Sequence, residues 1–418
     1  MRRVSLEEAI GQIQSGQRVL VPPGCGHPTA LARELGNQAA RFKELTIVGG
    51  LSLSSAPWLD ERFPNLRFVT YHVSGPVREA FARGQAKYVP LRYSETIRVF
   101  SRGGALAPDA VLLQVAPPDK EGRYSLGVSV SYSLPAARTA PVVIAQLNPK
   151  MPRTLGNGFL REDEIDFLTE ADEPLVAYEP APMGEVETKI ASFVEKLIPD
   201  GATIQTGLGA VPEGLLSFLK GKKNLRLHSL LVDSAIGLMK SGAVKNGPEG
   251  TSICEIMGTE KLFSFSHENP GVFMEDSSVV HDVTRVAKIP RFVSILSALE
   301  IDLTGQVAAE SAGGKLLAGI GGQLDFAMAS AVSEDAVCIV ALPSTGGKNG
   351  EKSKIVPRLA PGTAVTTPRS LVRYVATEHG IADLRGLDLE ARAKALCRIA
   401  HPRFREELEQ AAKEGGAF

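Results

Sequence analysis

The stretch Ala202-Thr203-Ile204-Gln205-Thr206-Gly207-Leu208-Gly209-Ala210-Val211-Pro212 decides the fold. A short β-prone run ends in a turn bracketed by glycines, and Glu213 to Leu219 then carries apolar residues at helical spacing. A helix from Glu187 to about Leu197 comes before it and stops at Pro199-Asp200-Gly201, while Leu225-Arg226-Leu227-His228 after it reads as a second strand. The order is helix, strand, glycine turn, helix, strand. The same order stands near the start of the chain. There Ser5-Leu6-Glu7-Glu8 is a capping box and Arg18-Val19-Leu20-Val21 a strand. Pro22-Pro23-Gly24-Cys25-Gly26-His27-Pro28 is the turn, and a helix from Thr29 to about Gln38 leads to the strand Leu45-Thr46-Ile47-Val48. Gly24 and Gly207, like Gly26 and Gly209, stand 183 residues apart. Two unrelated strand–turn–helix units can produce such a match, but agreement of all the flanking elements favours internal duplication.

Between the copies, Glu173-Pro174-Leu175-Val176-Ala177-Tyr178-Glu179-Pro180-Ala181-Pro182 reads as an extended linker. The expected division is therefore a domain over 1–184 and a second over 185–418. The apolar runs Ala110–Val115, Pro141–Ala145 and Val337–Leu342 lack strict alternation, as strands covered on both faces do. The fold class that follows is α/β: two similar open, mostly parallel domains. Ligands in such sheets sit at the carboxyl ends of strands, where the two glycine turns lie.

Composition narrows the function. The 418 residues hold 46 basic against 47 acidic side chains, a net charge of −1, which argues against nucleic acid or an acidic membrane as partner. Four scattered cysteines form neither a disulfide framework nor a zinc spacing, so the chain reads as cytoplasmic and metal-free. No stretch approaches the length of a membrane span. Glycine and proline together make about 16% of the chain against about 12% on average, and the excess gathers in turns.

Three of these turns are candidate binding elements. Gly207-Leu208-Gly209 could bring backbone amides close to a phosphate, although Pro212 stands where a dinucleotide fingerprint needs its third glycine; a plain tight turn is the alternative. Gly319-Ile320-Gly321-Gly322-Gln323-Leu324-Asp325-Phe326 runs into a helix expected over Ala327–Val332. It can aim several amides at one point, as an oxyanion or a pantetheine carbonyl requires, or it is a structural turn with Asp325 as cap. The loop Pro343–Lys354, with Lys348 among its three lysines, is either a basic lid over an anionic ligand or a solvated loop. Cys25 and His27 allow a nucleophile pair, but a packed turn is the simpler reading. His27, His72, His267, His281 and His401 are isolated in sequence and read as structural, and Trp58 reads as core.

Taken together the chain resembles the acetyl-CoA hydrolase/transferase group of family I coenzyme A transferases, which includes the 4-hydroxybutyrate and butyrate:acetate CoA-transferases. The resemblance is carried by Pro117-Pro118-Asp119, Ser125-Leu126-Gly127-Val128-Ser129 and Asn148-Pro149-Lys150-Met151-Pro152-Arg153-Thr154 in the first half. In the second half it is carried by Ile204–Pro212, Ser297–Val307, Gly319–Phe326, Thr377-Glu378-His379-Gly380 and His401-Pro402-Arg403-Phe404-Arg405. It implies two α/β domains with the active site in their cleft, coenzyme A bound as the acyl-CoA substrate, a carboxylic acid as acceptor, and a homodimer or homotetramer. By similarity Gly207, Leu208, Gly209, Ala210 and Val211 would lie along CoA with Gly319 and Lys348, and Gly321, Gly322 and Gln323 would line the thioester.

One departure bears on the chemistry. Transferases of the resembled family attack the thioester with a glutamate, through an acyl-glutamyl anhydride and a glutamyl-CoA. It normally lies in a segment resembling His-Thr-Glu-Met-Phe-Ser-Asp-Gly, whereas this chain reads His228-Ser229-Leu230-Leu231-Val232-Asp233-Ser234. The glutamate position falls on Leu230, or on Ser229 if one residue is deleted, and neither is a carboxylate. Ser229 would need a base, and its strand neighbour His228 should point to the opposite face. Glu255, Glu260 and Glu300 are the carboxylates that could stand in. Transfer or hydrolysis by such a displaced group, hydrolysis by direct attack of water, other acyl-CoA chemistry, and a non-catalytic CoA-binding subunit are the readings left open.

Overall fold

The computed structural model describes residues 1–179 and 182–414, so Pro180 and Ala181 of the linker lie outside the described residues. The chain divides into two compact units. Of the described residues, the first comprises Met1–Glu179, Ser229–Asp233 and Asn246–Asp282, and the second 182–228, Ser234–Lys245 and 283–414.

In the first unit eight strands form one sheet: β1 (Arg2–Arg3), β2 (Arg18–Leu20), β3 (Leu45–Gly49), β4 (Leu66–Thr70), β5 (Ala86–Tyr88), β6 (Ala110–Val115), β7 (Val142–Leu147) and β8 (Phe167–Glu170). Their order is β1-β8-β7-β6-β2-β3-β4-β5, and each neighbouring pair is parallel. All six residues of β6 are buried, Gln114 among them, which explains why its apolar residues do not alternate with polar ones: the strand has no solvent face. Helix α1 (Leu6–Gly11) starts on the expected capping box. Ser5 Oγ accepts the Glu8 amide at 3.1 Å and the Glu8 carboxylate accepts the Ser5 amide at 3.0 Å, an arrangement worth about 1 kcal/mol. Helix α2 (Thr29–Asn37) begins after Pro28, which has no capping side chain. Gln146, wholly buried in β7, supplies the acceptor instead for the amides of Ala30 and Leu31, at 3.1 and 3.3 Å.

In the second unit β9 (Thr203–Thr206), β10 (Arg226–Val232), β11 (Phe292–Ser297), β12 (Val337–Ala341), β13 (Tyr374–Thr377) and β14 (Gly380–Asp383) lie in the order β14-β13-β12-β11-β9-β10. All these pairs are parallel except β13 with β14. Strand β10 belongs to this unit as far as His228 and to the first from Ser229. Helix α3 (Glu185–Val194) precedes β9, and α4 (Ala210–Leu215) follows its glycine turn. Helix, strand, glycine turn, helix and strand thus recur in both units as α1-β2-α2-β3 and α3-β9-α4-β10, with β2/β3 and β9/β10 both parallel.

Two boundaries differ from the sequence reading, each for a local reason. Pro212 does not delay the helix: it sits in the first turn of α4, where an amide has no intrahelical acceptor to lose. Strand β10 runs on through Ser229, Leu230 and Leu231 to Val232 instead of stopping at His228. The family glutamate position, expected just after the strand, therefore lies within it.

Candidate active site

The three glycine-rich elements belong to the second unit. Gly209 has φ +124°, a conformation that side chains on L-residues rarely adopt, yet a Cβ there would lie 3.7 Å from its nearest neighbour, Ser297 Oγ. The glycine is thus required by backbone angle and not by space. The Gly209 amide donates to Glu213 Oε1 at 2.8 Å and the Gly207 amide to Ile295 O at 3.3 Å. Both glycine amides are engaged inside the turn, so neither is free to point at a phosphate; Leu208, Ala210 and the rest of the half-exposed loop carry whatever ligand contact it makes.

Gly319 to Leu324 are half-exposed, and nothing lies within 4 Å of a Cβ built on Gly321, whose φ is +57°. Helix α5 (Gln323–Val332) begins four residues earlier than expected, with Gly322 as N-cap residue, so the reading of Asp325 as the cap does not hold. Gln323 Nε2 donates to Thr367 Oγ1 at 3.1 Å, which fixes the amide and turns its oxygen away from that partner. Lys348 is exposed in a hairpin whose two-residue strands, Thr345–Gly346 and Lys352–Ser353, pair antiparallel. Glu378 anchors the base of this hairpin by accepting from the Ser344 amide at 2.9 Å and from the Ser344 hydroxyl.

Ser229 and Glu255, named separately from the sequence, belong to one polar cluster in the first unit, whose other members sequence reasoning did not connect to them. Among the described residues six non-glycine positions have positive φ, and only Ser131 and Ser229 of these are buried. Such strain survives where surrounding structure enforces it, which is common at functional sites. Ser229 Oγ lies 3.1 Å from His281 Nε2, so the histidine expected to be isolated is the partner of Ser229. His228 instead packs edge-on against Phe292. The His281 imidazole lies 4.4 Å, centroid to centroid, from the ring of Tyr93. Leu230, the other alignment of the family glutamate, is half-buried and carries no chemistry.

Tyr93 connects this pair to Glu255. Its phenol donates to Glu255 Oε1 at 3.2 Å, Ser129 Oγ donates to the same oxygen at 3.0 Å, and Tyr93 also bonds Ser131 Oγ. The backbone explains why these groups converge. Val130 and Ser131 donate their amides to Cys254 O, and Ile256 donates to Val128 O. Residues 128–131 are thus pinned along the strand Thr251–Met257, with Ser129 bridged antiparallel to Glu255. Glu255 is 7% exposed, and its Oε2 has no hydrogen-bond partner among the described residues. Burial pushes the carboxyl up to about 8, against the pull of Ser129, Ser131 and Tyr93 toward the anion. A carboxylate inside the run Ile253-Cys254-Glu255-Ile256-Met257 is expensive, and here hydroxyls rather than cations hold it.

The remaining candidates differ in exposure and surroundings. Glu260 is exposed in the first turn of the helix Glu260–Ser266, and Glu300 is half-buried on a short strand. Cys25 is fully buried, its Sγ 4.0 Å from Gly258 O, and burial pushes its thiol up to about 12, in keeping with a packed turn. His27 meets the edge of buried Trp58. Among the described residues no group of three or more His, Cys, Asp or Glu could hold a metal ion, and no helix is long and apolar enough to cross a membrane.

Open, mostly parallel sheets with glycine turns at strand ends serve several ligand classes, and comparison with known proteins identifies the family. The acetyl-CoA hydrolase/transferase N-terminal domain matches residues 2–180, and the C-terminal domain of the same family matches 258–412. The chain is 40% identical over 412 residues to a 4-hydroxybutyrate coenzyme A transferase of Clostridium kluyveri, covering 97% of this chain and 96% of the relative. It is 35% identical to a succinyl-CoA:cyclohexane-1-carboxylate CoA transferase of Geobacter metallireducens, over 97% and 94% of the two chains. The solved structure of RipA from Yersinia pestis superposes with a TM-score of 0.93 at 30% identity, over 100% of this chain and 98% of RipA. This chain belongs to the acetyl-CoA hydrolase/transferase family. The two domain matches leave out 181–257, the segment that carries Gly207–Val211, Ser229 and Glu255.

Proposed function

We propose that the chain transfers coenzyme A between an acyl-CoA and a carboxylic acid, and that it hydrolyses the thioester when water takes the acceptor's place. The observation that carries this reading is the near full-length likeness, in sequence and in fold, to enzymes named as CoA transferases. In this reading Gly207, Leu208, Gly209, Ala210 and Val211, with Gly319 and Lys348, contact CoA. Gly321, Gly322 and Gln323 line the thioester. An amide or side-chain donor aimed at the developing oxyanion contributes roughly 3–4 kcal/mol, and the open φ-positive turn at Gly321 suits that task. Ser229, held by His281, belongs to the catalytic surroundings. The enzyme works in the cytoplasm as a homodimer or homotetramer, an expectation supported by its scattered buried cysteines and by the family resemblance.

The test is direct. The purified chain is incubated with butyryl-CoA and acetate, and with acetyl-CoA and 4-hydroxybutyrate, and the CoA species are separated. The reading expects the acceptor's CoA ester to appear, or free CoA when the acceptor is left out. Unchanged acyl-CoA in every mixture would overturn it.

A further inference from the structure

We propose that Glu255 is the nucleophile of this chain, a carboxylate supplied from the strand Thr251–Met257 in place of one at Ser229 or Leu230. The inference rests on the CoA-transfer reading above and assigns that reaction's covalent step.

Three observations carry it. Glu255 presents two unlike oxygens: Oε1 is saturated by the Ser129 and Tyr93 hydroxyls, and Oε2 is buried with no partner among the described residues. Second, the strand bearing Glu255 touches the segment in question, since Cys254 Sγ donates to Ser229 O at 3.4 Å. Third, Ser129 and Ser131 arrive on a backbone pinned to that same strand, and Tyr93 reaches Glu255 while stacking on the histidine that holds Ser229. Desolvation that makes the carboxyl a weak acid also makes its anion a stronger nucleophile.

The chemistry balances with the groups named. Oε2 of ionised Glu255 adds to the thioester carbonyl carbon, forming a C–O bond. The C–S bond breaks, CoA leaves as thiolate, and an acyl-glutamyl anhydride remains. The thiolate then attacks Glu255 Cδ, expelling the donor's carboxylate and leaving a glutamyl-CoA thioester. An acceptor carboxylate reverses both steps and regenerates Glu255. If water attacks the anhydride instead, the donor's carboxylate and the Glu255 carboxylate form with loss of two protons, one taken up by the CoA thiolate and the other released to solvent.

The experiment traps the thioester. Full-length chain is mixed with acetyl-CoA, quenched with borohydride, digested and examined by mass spectrometry, and Glu255→Gln is assayed in parallel. The expected result is the alcohol derived from Glu255 in the peptide spanning Thr251–Met257, with transfer by the variant reduced on the order of a thousandfold. The trap is set in the natural chain, so misfolding of the variant does not remove the test. An active chain with no modification at Glu255, a modification at Ser229 or another residue, or full activity of Glu255→Gln would each overturn the assignment while leaving CoA transfer standing. A natural chain that neither transfers nor hydrolyses would take down the CoA-transfer reading, and this one with it.

Discussion

The Tyr93 phenol donates to Glu255 Oε1 at 3.2 Å and so stabilises the carboxylate in its charged form. A hydrogen bond to a charged acceptor contributes roughly 1.5–3 kcal/mol, about one to two pH units on the carboxyl. Tyr93→Phe removes the donor, keeps the ring on His281, and should therefore raise the Glu255 pKa further. The pH profile of kcat/KM should move its acid limb upward by about one unit, with kcat near neutrality lowered about tenfold. An unshifted limb in the variant would separate Tyr93 from the ionisation that matters.

Stability should carry the same signature with a definite sign. The folded state raises the Glu255 pKa from the ordinary 4.5 to about 8 because burial disfavours the anion. Between those values the folded chain holds a proton that the unfolded chain has lost, so stability falls as pH rises. The contribution is fully present below the unfolded pKa and is lost as pH climbs through about 8. Thermal midpoints measured from pH 5 to pH 9 should decline more steeply in the natural chain than in Glu255→Gln, which cannot ionise. Parallel curves would mean that Glu255 is not the buried acid described.

Ser229 is the rival nucleophile, since its hydroxyl stands 3.1 Å from His281 Nε2. If the pair only supports the site, Ser229→Ala loses one hydrogen bond, worth about 1 kcal/mol, and activity drops by less than about tenfold. The borohydride product should still appear at Glu255. Complete loss of activity in a folded Ser229→Ala protein would transfer the covalent role to the serine.

What could be read from the sequence follows from how far apart the cooperating residues lie. Capping box, glycine turns and the apolar runs of β6, β7 and β12 are local patterns, and each stands as an element in the structure. The Glu255 site is not local. Ser129 and Tyr93 come from 126 and 162 residues away, and His281 meets Ser229 across 52. Hydroxyl partners leave no charge pattern to detect. One signal was present: a lone carboxylate in the apolar run Ile253-Cys254-Glu255-Ile256-Met257, with no neighbouring residue of opposite charge. The strand was read only as far as His228, and the positive φ of Ser229, which lies within the observed strand, has no signature in a non-glycine residue.

The glycine turn of the second unit offers a comparison in which space and backbone angle separate. A Cβ on Gly207 would lie 3.7 Å from Ile295 O, and one on Gly209 would lie 3.7 Å from Ser297 Oγ, so both positions have room for a methyl group. Only Gly209 has positive φ, at +124°, and forcing alanine into that region costs roughly 1–3 kcal/mol. Relief of the strain would move the 209 amide off Glu213 Oε1 and shift the start of α4. Gly209→Ala should therefore lower the thermal midpoint and raise the dissociation constant for CoA at least severalfold, while Gly207→Ala should stay close to the natural chain in both. Calorimetric titration of CoA into the two variants decides the matter. Equal affinities in a folded Gly209→Ala protein would remove this turn from the CoA site.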